Sequence, residues 1–88
     1  MNVFRLTVAS PAGIAFDGDA AGVSARGIGG ELSVLAGHVP FVTALKAGRI
    51  RIVTADGAEI CAKVSGGMLI AGKDGVRLLT DSYTAEQP

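Results

Sequence analysis

Residues 48–64, GRIRIVTADGAEICAKV, decide the fold class of this chain. On both sides of Asp56-Gly57 the apolar side chains recur at every second position. These apolar positions are Ile50 and Ile52 before the turn and Ile60, Ala62 and Val64 after it. A period of two is that of a strand with one buried face, and Asp-Gly between two such runs is a strong hairpin signal. The stretch therefore predicts two antiparallel strands joined by a tight turn.

The same period continues outward from this hairpin in both directions. Apolar alternation or short apolar runs occupy residues 4–8, 14–16, 22–25, 32–34, 41–45, 68–71 and 76–80. Thirteen glycines separate these segments, with turns predicted at 11–13, 17–18, 27–30, 37–40, 65–67 and 72–75. No window of eleven or more residues has the apolar spacing of an amphipathic helix. We predict an all-β chain of about ten short strands with almost no helix, as in sandwiches and barrels.

The length and composition predict one folded domain. At 88 residues the chain has room for a single core, and 49% hydrophobic with 18% charged residues excludes a disordered chain. We place the domain at residues 1–81. Residues 82–88, SYTAEQP, are polar, and we predict that they form a loose tail.

Charge and cysteine content limit the partners and the compartment. Eight basic and eight acidic residues give no net charge, so no overall field attracts nucleic acid or an anionic membrane. The single Cys61 cannot form an internal disulfide, which indicates a reducing compartment. The first five residues lack the apolar block of a signal peptide, and no apolar run approaches the roughly 20 residues of a membrane span. We expect that any attachment to a membrane goes through another protein.

One motif comes close to a nucleotide site. Residues 67–74, GMLIAGKD, match the phosphate-binding loop except that Asp74 stands where Ser or Thr should ligate magnesium. The motif also needs a helix after the lysine, whereas a hairpin turn is predicted here. The glycines at 27–29 fail as a dinucleotide fingerprint because Leu32 takes the place of the third glycine. Nucleotide binding is therefore the minor alternative.

The remaining reactive side chains favour a protein without catalytic, metal or cofactor sites. His38 lies in a loop, where a hydrogen bond to backbone is its simplest role. Cys61 alternates with Ile60 and Ala62 on a strand, where a small packing residue is expected. A zinc site needs about three or four ligands, and the chain offers at most one. The acidic residues fall mostly in turns, which gives no pair for acid–base catalysis.

Residues 30–48, GELSVLAGHVPFVTALKAG, closely resemble the signature of the epsilon subunit of F-type ATP synthases, called delta in mitochondria. The similarity extends through residues 49–52 (RIRI) and 65–67 (SGG), and begins with 6–10 (LTVAS) and 16–18 (FDG). It covers nearly the whole chain. The Gly-His-x-Pro loop stands at the family's spacing from both Gly-Glu-Leu and Ser-Gly-Gly, which makes the resemblance specific.

This resemblance implies a flattened ten-stranded sandwich at the foot of the enzyme's central rotor. It implies a non-catalytic subunit that binds the gamma subunit, the polar loops of the c-ring and, through gamma, the catalytic head. The location would be peripheral, on the cytoplasmic side of a bacterial inner membrane. Ser10, His38 and Thr43 fall at positions that face gamma in the family. Glu31 falls where the family meets c-ring loops that carry a basic residue.

Three departures from the family pattern stand out. Ala36 and Ala47 occupy positions where proline is frequent, and residues 79–82, LTDS, differ from the usual Leu-Ala-Asp-Thr. Many members continue into a two-helix domain that restrains ATP hydrolysis, and we expect that domain to be absent from this chain. The rival interpretation is a stand-alone β-sandwich that binds a small ligand, for which a nucleotide is the first candidate.

Overall fold

The structure is a computed structural model that describes residues 2–38 and 40–86. These residues form nine β-strands and contain no helix. The strands are β1 (Phe4–Ser10), β2 (Gly13–Gly27), β3 (Gly30–Leu35), β4 (Phe41–Leu45), β5 (Gly48–Thr54), β6 (Glu59–Val64), β7 (Gly67–Gly72), β8 (Gly75–Leu79) and β9 (Tyr83–Ala85). The prediction of an all-β fold is confirmed. The connections between strands are short, as the glycine-rich turns predicted.

The long strand β2 replaces two predicted strands. Asp17-Gly18 was expected to form a turn, but both residues continue the strand and pair with Thr7 and Leu6 of β1. The Asp17 carboxylate accepts hydrogen bonds from Arg5 (3.0 Å) and from the hydroxyl of Thr7 (3.3 Å). These contacts across the strands keep the Asp-Gly pair extended. The structure therefore has nine strands where about ten were predicted.

The strands form two halves that meet along β2. We call β1, β8, β7, β4 and the first half of β2 the β1 sheet, and β3, β5, β6, β9 and the second half of β2 the β5 sheet. The neighbours β1 and β8 are parallel, and the other pairs are antiparallel. The inner faces of both sheets supply one apolar core, which makes the arrangement a sandwich.

The core follows the predicted alternation. Its buried members are Phe4, Leu6, Val8, Ala20, Val23, Ala25, Val34, Leu45, Ile50, Ile52, Ala62, Val64, Leu69, Ala71, Val76 and Leu78. Ile60 and Leu32 pack against this cluster and are partly buried. Each fully buried aliphatic side chain stabilises the fold by roughly 1.5–3 kcal/mol relative to its exposed state. The predicted inward positions of the central hairpin are thus confirmed.

The turn of that hairpin comprises residues 55–58. The Gly57 N–H donates to the Thr54 carbonyl (3.0 Å), and the Thr54 N–H donates to the Ala58 carbonyl (2.8 Å). Gly57 has a φ of 90°, which a residue without Cβ adopts at little cost. The Thr54 hydroxyl donates to Asp56, and this bond holds the pKa of the Asp56 carboxyl below its ordinary value. Asp56 and Gly57 therefore act together to close the turn.

The prediction of a loose tail from residue 82 is wrong for residues 83–86. Tyr83–Ala85 form β9 and pair with β6. Arg49 then donates two hydrogen bonds to Glu86, from Nε to Oε1 (2.7 Å) and from Nη2 to Oε2 (3.0 Å). The Arg49 guanidinium holds the pKa of the Glu86 carboxyl below its usual range. Composition concealed this strand because Tyr83 is its one side chain packed against the core, and its other contacts are backbone hydrogen bonds and one ion pair. Residues 87 and 88 lie outside the described residues.

The predicted sharp corner at residues 65–67 depends on Gly67. Its φ is 136°, and a Cβ placed there would lie 1.9 Å from the Leu79 carbonyl oxygen of the neighbouring strand β8. No side chain fits at that distance. Gly67 therefore brings the backbones of β7 and β8 together as the chain turns from β6 into β7.

Replacing Gly67 by Ala should lower the free energy of unfolding by at least about 1–3 kcal/mol, because strain at positive φ adds to a clash with rigid backbone. The matched control is Gly29→Ala, where a Cβ meets no atom within 4 Å. Urea denaturation of both variants measures the difference. Equal stability of the two variants would contradict this account of the corner.

Candidate functional site

The outer face of the β1 sheet carries a row of apolar side chains. Strand register aligns Ala44 of β4 with Met68 of β7, Met68 with Leu79 of β8, Leu79 with Ala9 of β1, and Ala9 with Ile14 of β2. A second pair, Val42 and Ile70, lies beside this row on β4 and β7. Five strands spaced about 4.8 Å apart give the row a length of roughly 19 Å. We call these seven residues the apolar face.

The apolar face collects most of the exposed large hydrophobic side chains. Among the described residues seven such side chains are exposed, and four of them lie here: Ile14 (66%), Val42 (60%), Met68 (44%) and Leu79 (43%). Single exposed apolar residues are ordinary on a protein surface, but a contiguous set marks a surface that another molecule covers. This face is the strongest candidate for a binding surface.

The outer face of the β5 sheet is polar. The hydroxyls of Ser24 and Ser33 lie 3.0 Å apart across β2 and β3. Arg51 of β5 approaches Glu59 of β6 (4.0 Å), and the Arg49–Glu86 pair lies on the same face. Side chains of this kind keep their hydration and need no cover. The two outer faces of the sandwich therefore differ in chemistry.

Ser10 lies next to the apolar face. It ends β1, and its Oγ accepts a hydrogen bond from the Ala12 N–H (3.3 Å) in the turn that leads to β2. Together with Met68, Leu79 and Thr80, Ser10 lines a shallow cleft of about 400 Å³. A molecule that covered the apolar row would therefore meet Ser10 at its border.

His38 is held at the opposite end of β7. Its Nε2 lies 2.9 Å from the Gly72 carbonyl oxygen, its Nδ1 lies 3.2 Å from the Leu35 carbonyl oxygen, and its ring meets Phe4 edge-on at 5.6 Å. A neutral imidazole has one N–H, so it donates to one of these carbonyls at a time. The expected loop histidine bonded to backbone is confirmed, and the ring ties the β3–β4 loop to the β7–β8 turn.

Thr43 and Glu31 occupy different surroundings. Thr43 lies in the middle of β4 opposite Leu69, and alternation places its side chain with Phe41 and Leu45, away from the apolar face. Glu31 is exposed at the start of β3, opposite Arg26 of β2, and lines the polar side of the β5 sheet. Ser10 and Thr43 thus lie on the β1 sheet and His38 in the β3–β4 loop, without forming a cluster, and Glu31 lies on the β5 sheet.

Sequence reasoning missed the apolar face itself. A sequence signal was present, because residues 41–45 (FVTAL) and 67–71 (GMLIA) place apolar side chains on both sides of a strand. In an antiparallel sheet one face is commonly solvated, so such runs indicate that the second face is also covered. The resemblance drew attention to polar residues at the border of this face and not to its centre.

The chemical alternatives have no matching geometry. Residues 67–74 form strand β7 and the start of its turn into strand β8, so the helix that a phosphate-binding loop requires does not follow Lys73. The described residues contain no group of three or more side chains suited to hold a metal ion, and no helix long and apolar enough to cross a membrane. Cys61 lies on strand β6 opposite Arg51, is partly buried, and is not a member of the core cluster.

Comparison with known proteins agrees with this architecture. Residues 3–86 match the family model described as ATP synthase, Delta/Epsilon chain, beta-sandwich domain. The ATP synthase epsilon chain of Exiguobacterium sp. is 35% identical over 82 residues, which is 93% of this chain and 60% of that protein. The epsilon chain of Brevibacillus brevis is 36% identical over 88 residues, which is 100% of this chain and 65% of that protein. The chain therefore spans less than two thirds of the length of these curated relatives.

Solved structures share the fold. One is a chain in the Euglena gracilis mitochondrial ATP synthase (OSCP/F1/c-ring), with a TM-score of 0.89, 24% identity and coverage of 97% of this chain and 54% of that one. Another is in the central stalk and c-ring of the Tetrahymena thermophila mitochondrial ATP synthase, with a TM-score of 0.75, 16% identity and coverage of 91% and 64%. The fold and the two outer surfaces of this chain place it in the class of β-sandwich domains, here with one apolar and one polar outer face. The chain belongs to the delta/epsilon family of ATP synthase chains, and residues 3–86 are its β-sandwich domain.

Replacing His38 by Ala should lower the free energy of unfolding by about 1–3 kcal/mol, because a part-buried hydrogen bond and an edge-on ring contact are both lost. Ser10→Ala, at the end of β1, loses one exposed hydrogen bond; it is the control and should change stability by less than about 0.5 kcal/mol. Chemical denaturation of the two variants provides the comparison. A His38→Ala protein as stable as the wild type would show that the ring does not tie the loop to the turn.

Proposed function

We propose that this chain is the β-sandwich of a non-catalytic rotor subunit of an F-type ATP synthase, which binds the gamma subunit and the c-ring. The observation that carries the proposal is an exposed apolar face on a domain of the delta/epsilon family. Through its two partners the domain would help to couple ion movement through the ring to ATP synthesis in the catalytic head. It would be held on the cytoplasmic side of a bacterial inner membrane by the c-ring, and not by insertion into lipid.

We assign gamma to the apolar face. Covering apolar surface contributes roughly 25 cal/mol per Å², so a row of this length supplies the main driving force for stable association. Ser10, at the border of Met68 and Leu79, fits this assignment directly. Thr43 lies on the same sheet with its side chain away from the apolar face, and His38 lies in the β3–β4 loop, so their contact with gamma stays a prediction.

We assign the c-ring to the region around Glu31. Its carboxylate is exposed, so it is available to a basic side chain on a c-ring loop. An exposed ion pair contributes only about 0–1 kcal/mol, so Glu31 would orient the domain on the ring more than hold it there. Because Glu31 and the apolar face lie on different sheets, the two partners do not compete for one surface.

Met68→Lys should abolish copurification of gamma with the chain, because a charge at the centre of the apolar face opposes its burial. The matched control, Ser33→Lys on the polar face of the β5 sheet, should retain gamma. Circular dichroism should show the same strand content in both variants, because both positions are exposed. Retention of gamma by Met68→Lys at wild-type levels would rule out this face as the docking site.

Glu31→Lys should weaken attachment to the c-ring by exchanging an attraction for a repulsion, with the larger effect at low ionic strength where screening is weak. Glu59→Lys reverses a charge on the same sheet away from the β2–β3 hairpin and is the control. Retention of the catalytic head on membranes, followed across a salt series, gives the measurement. Identical salt curves for the two variants would argue against a role for Glu31 at the ring.

A further inference from the structure

Arg77 is a charged residue beside the apolar face. It lies on the outer side of β8, opposite Ile70 of β7 and Thr7 of β1, two positions before Leu79 on the same strand. Its side chain is exposed. A partner that covers the apolar row must therefore also cover, or closely border, this guanidinium.

Arg77 takes part in none of the ion pairs formed among residues 2–38 and 40–86. The carboxylate of Asp17, on the same outer face, is already bound by the guanidinium of Arg5 (2.9 Å) and by the hydroxyl of Thr7. A shallow cleft of about 330 Å³ beside Arg77 is lined by two further cations, Arg5 and Lys73, and by one carboxylate, Asp74. This end of the face is therefore short of negative charge.

Covering an unpaired guanidinium is unfavourable, because a charge removed from water must regain its interactions from the molecule that covers it. The planar fork of an arginine is matched best by a carboxylate, which accepts two parallel hydrogen bonds. An apolar partner without such a group would lose affinity at this position. The arrangement selects for a partner that combines an apolar stripe with one acidic side chain.

We propose that Arg77 sets the orientation of gamma on the apolar face by pairing with a carboxylate of gamma. This inference rests on the proposed function, since it assigns a determinant of specificity to the same interface. Leu79 and Met68 supply the driving force through burial, whereas Arg77 selects one rotational placement. The carboxylate on gamma should lie opposite β8, between the apolar row and the β7–β8 turn.

The test uses the full chain and purified gamma, with the dissociation constant measured at low and at physiological salt. Arg77→Glu should weaken binding by about 100-fold or more, and Arg77→Met by about tenfold, because both leave the carboxylate of gamma unpaired. Lys63→Glu, which reverses a charge on the β5 sheet, is the matched control and should change binding by less than about threefold. Thermal unfolding should be unchanged in all three variants, because these side chains are exposed.

A second arm identifies the partner group. Acidic residues of gamma are changed one at a time to Arg, and one of these changes should restore binding to the Arg77→Glu chain. Suppose that Arg77→Glu binds gamma within about threefold of wild type while Met68→Lys does not bind. That result would overturn the role of Arg77 and leave the proposed function standing. If Arg77→Met bound gamma more tightly or self-associated, Arg77 would serve only to keep the apolar face soluble. If no acidic-to-Arg change in gamma restored binding, the proposed pairing of Arg77 with a carboxylate of gamma would be overturned.

A wild-type chain that does not bind gamma at all would overturn the proposed function and this inference together. Loss of binding in Lys63→Glu equal to that in Arg77→Glu would show a general dependence on charge, which would also overturn the pairing. Each result therefore decides between the specific role of Arg77 and a named alternative.

Discussion

Strand β2 hydrogen-bonds to both halves of the sandwich, and the relative placement of the two sheets depends on it. Ala20 is the residue where they meet, because it pairs with Phe4 of β1 and with Thr54 of β5, and it is fully buried. A register shift follows between Ala20 and Gly22, where the strand passes into the second sheet. A change in this register would displace every side chain by one position and so exchange core and surface. The identities of both outer faces therefore follow from the pairing of one strand.

The two outer faces that this pairing creates differ in their need for a partner. On the β5 sheet, the Ser24–Ser33 and Arg49–Glu86 pairs are satisfied within the sheet and in water. On the β1 sheet the exposed apolar row has no such internal partner, so its hydration cost persists until another surface covers it. A single core thus separates a surface that favours burial from one that tolerates solvent. This asymmetry, more than any polar cluster, gives the domain its candidate function.

The elements predicted correctly from sequence are those in which the local signals and the long-range contacts favour the same structure. The hairpin of β5 and β6 is one such element, because alternation and the Asp56-Gly57 signal both agree with the core. The same Asp-Gly dipeptide at residues 17–18 led to the wrong prediction of a turn, because Arg5 and Thr7 of the neighbouring strand hold the aspartate in an extended strand. Such contacts between strands do not appear in a local sequence pattern. Strand β9 was missed because a single apolar contact, that of Tyr83 with the core, gives no alternation, and the rest of the strand pairs through backbone. Likewise, the apolar face becomes visible only when the strand order places Met68 beside Leu79.

A domain proposed to link two partners must transmit mechanical load between its faces. The stiffness of the whole domain is then limited by its least rigid connection between strands. Most connections between the described strands are two to four residues long, and the longest is the five-residue segment 36–40 between β3 and β4. His38 lies in that segment. Its backbone N–H donates to the Leu35 carbonyl of β3 (3.2 Å), and its Nε2 lies 2.9 Å from the Gly72 carbonyl oxygen, so this one residue ties the segment to both β3 and the β7–β8 turn. Close-packed cores have low compressibility, so the strands themselves add little compliance. A histidine in the longest loop therefore stiffens the sandwich at the point where its chain is least constrained by sheet hydrogen bonds.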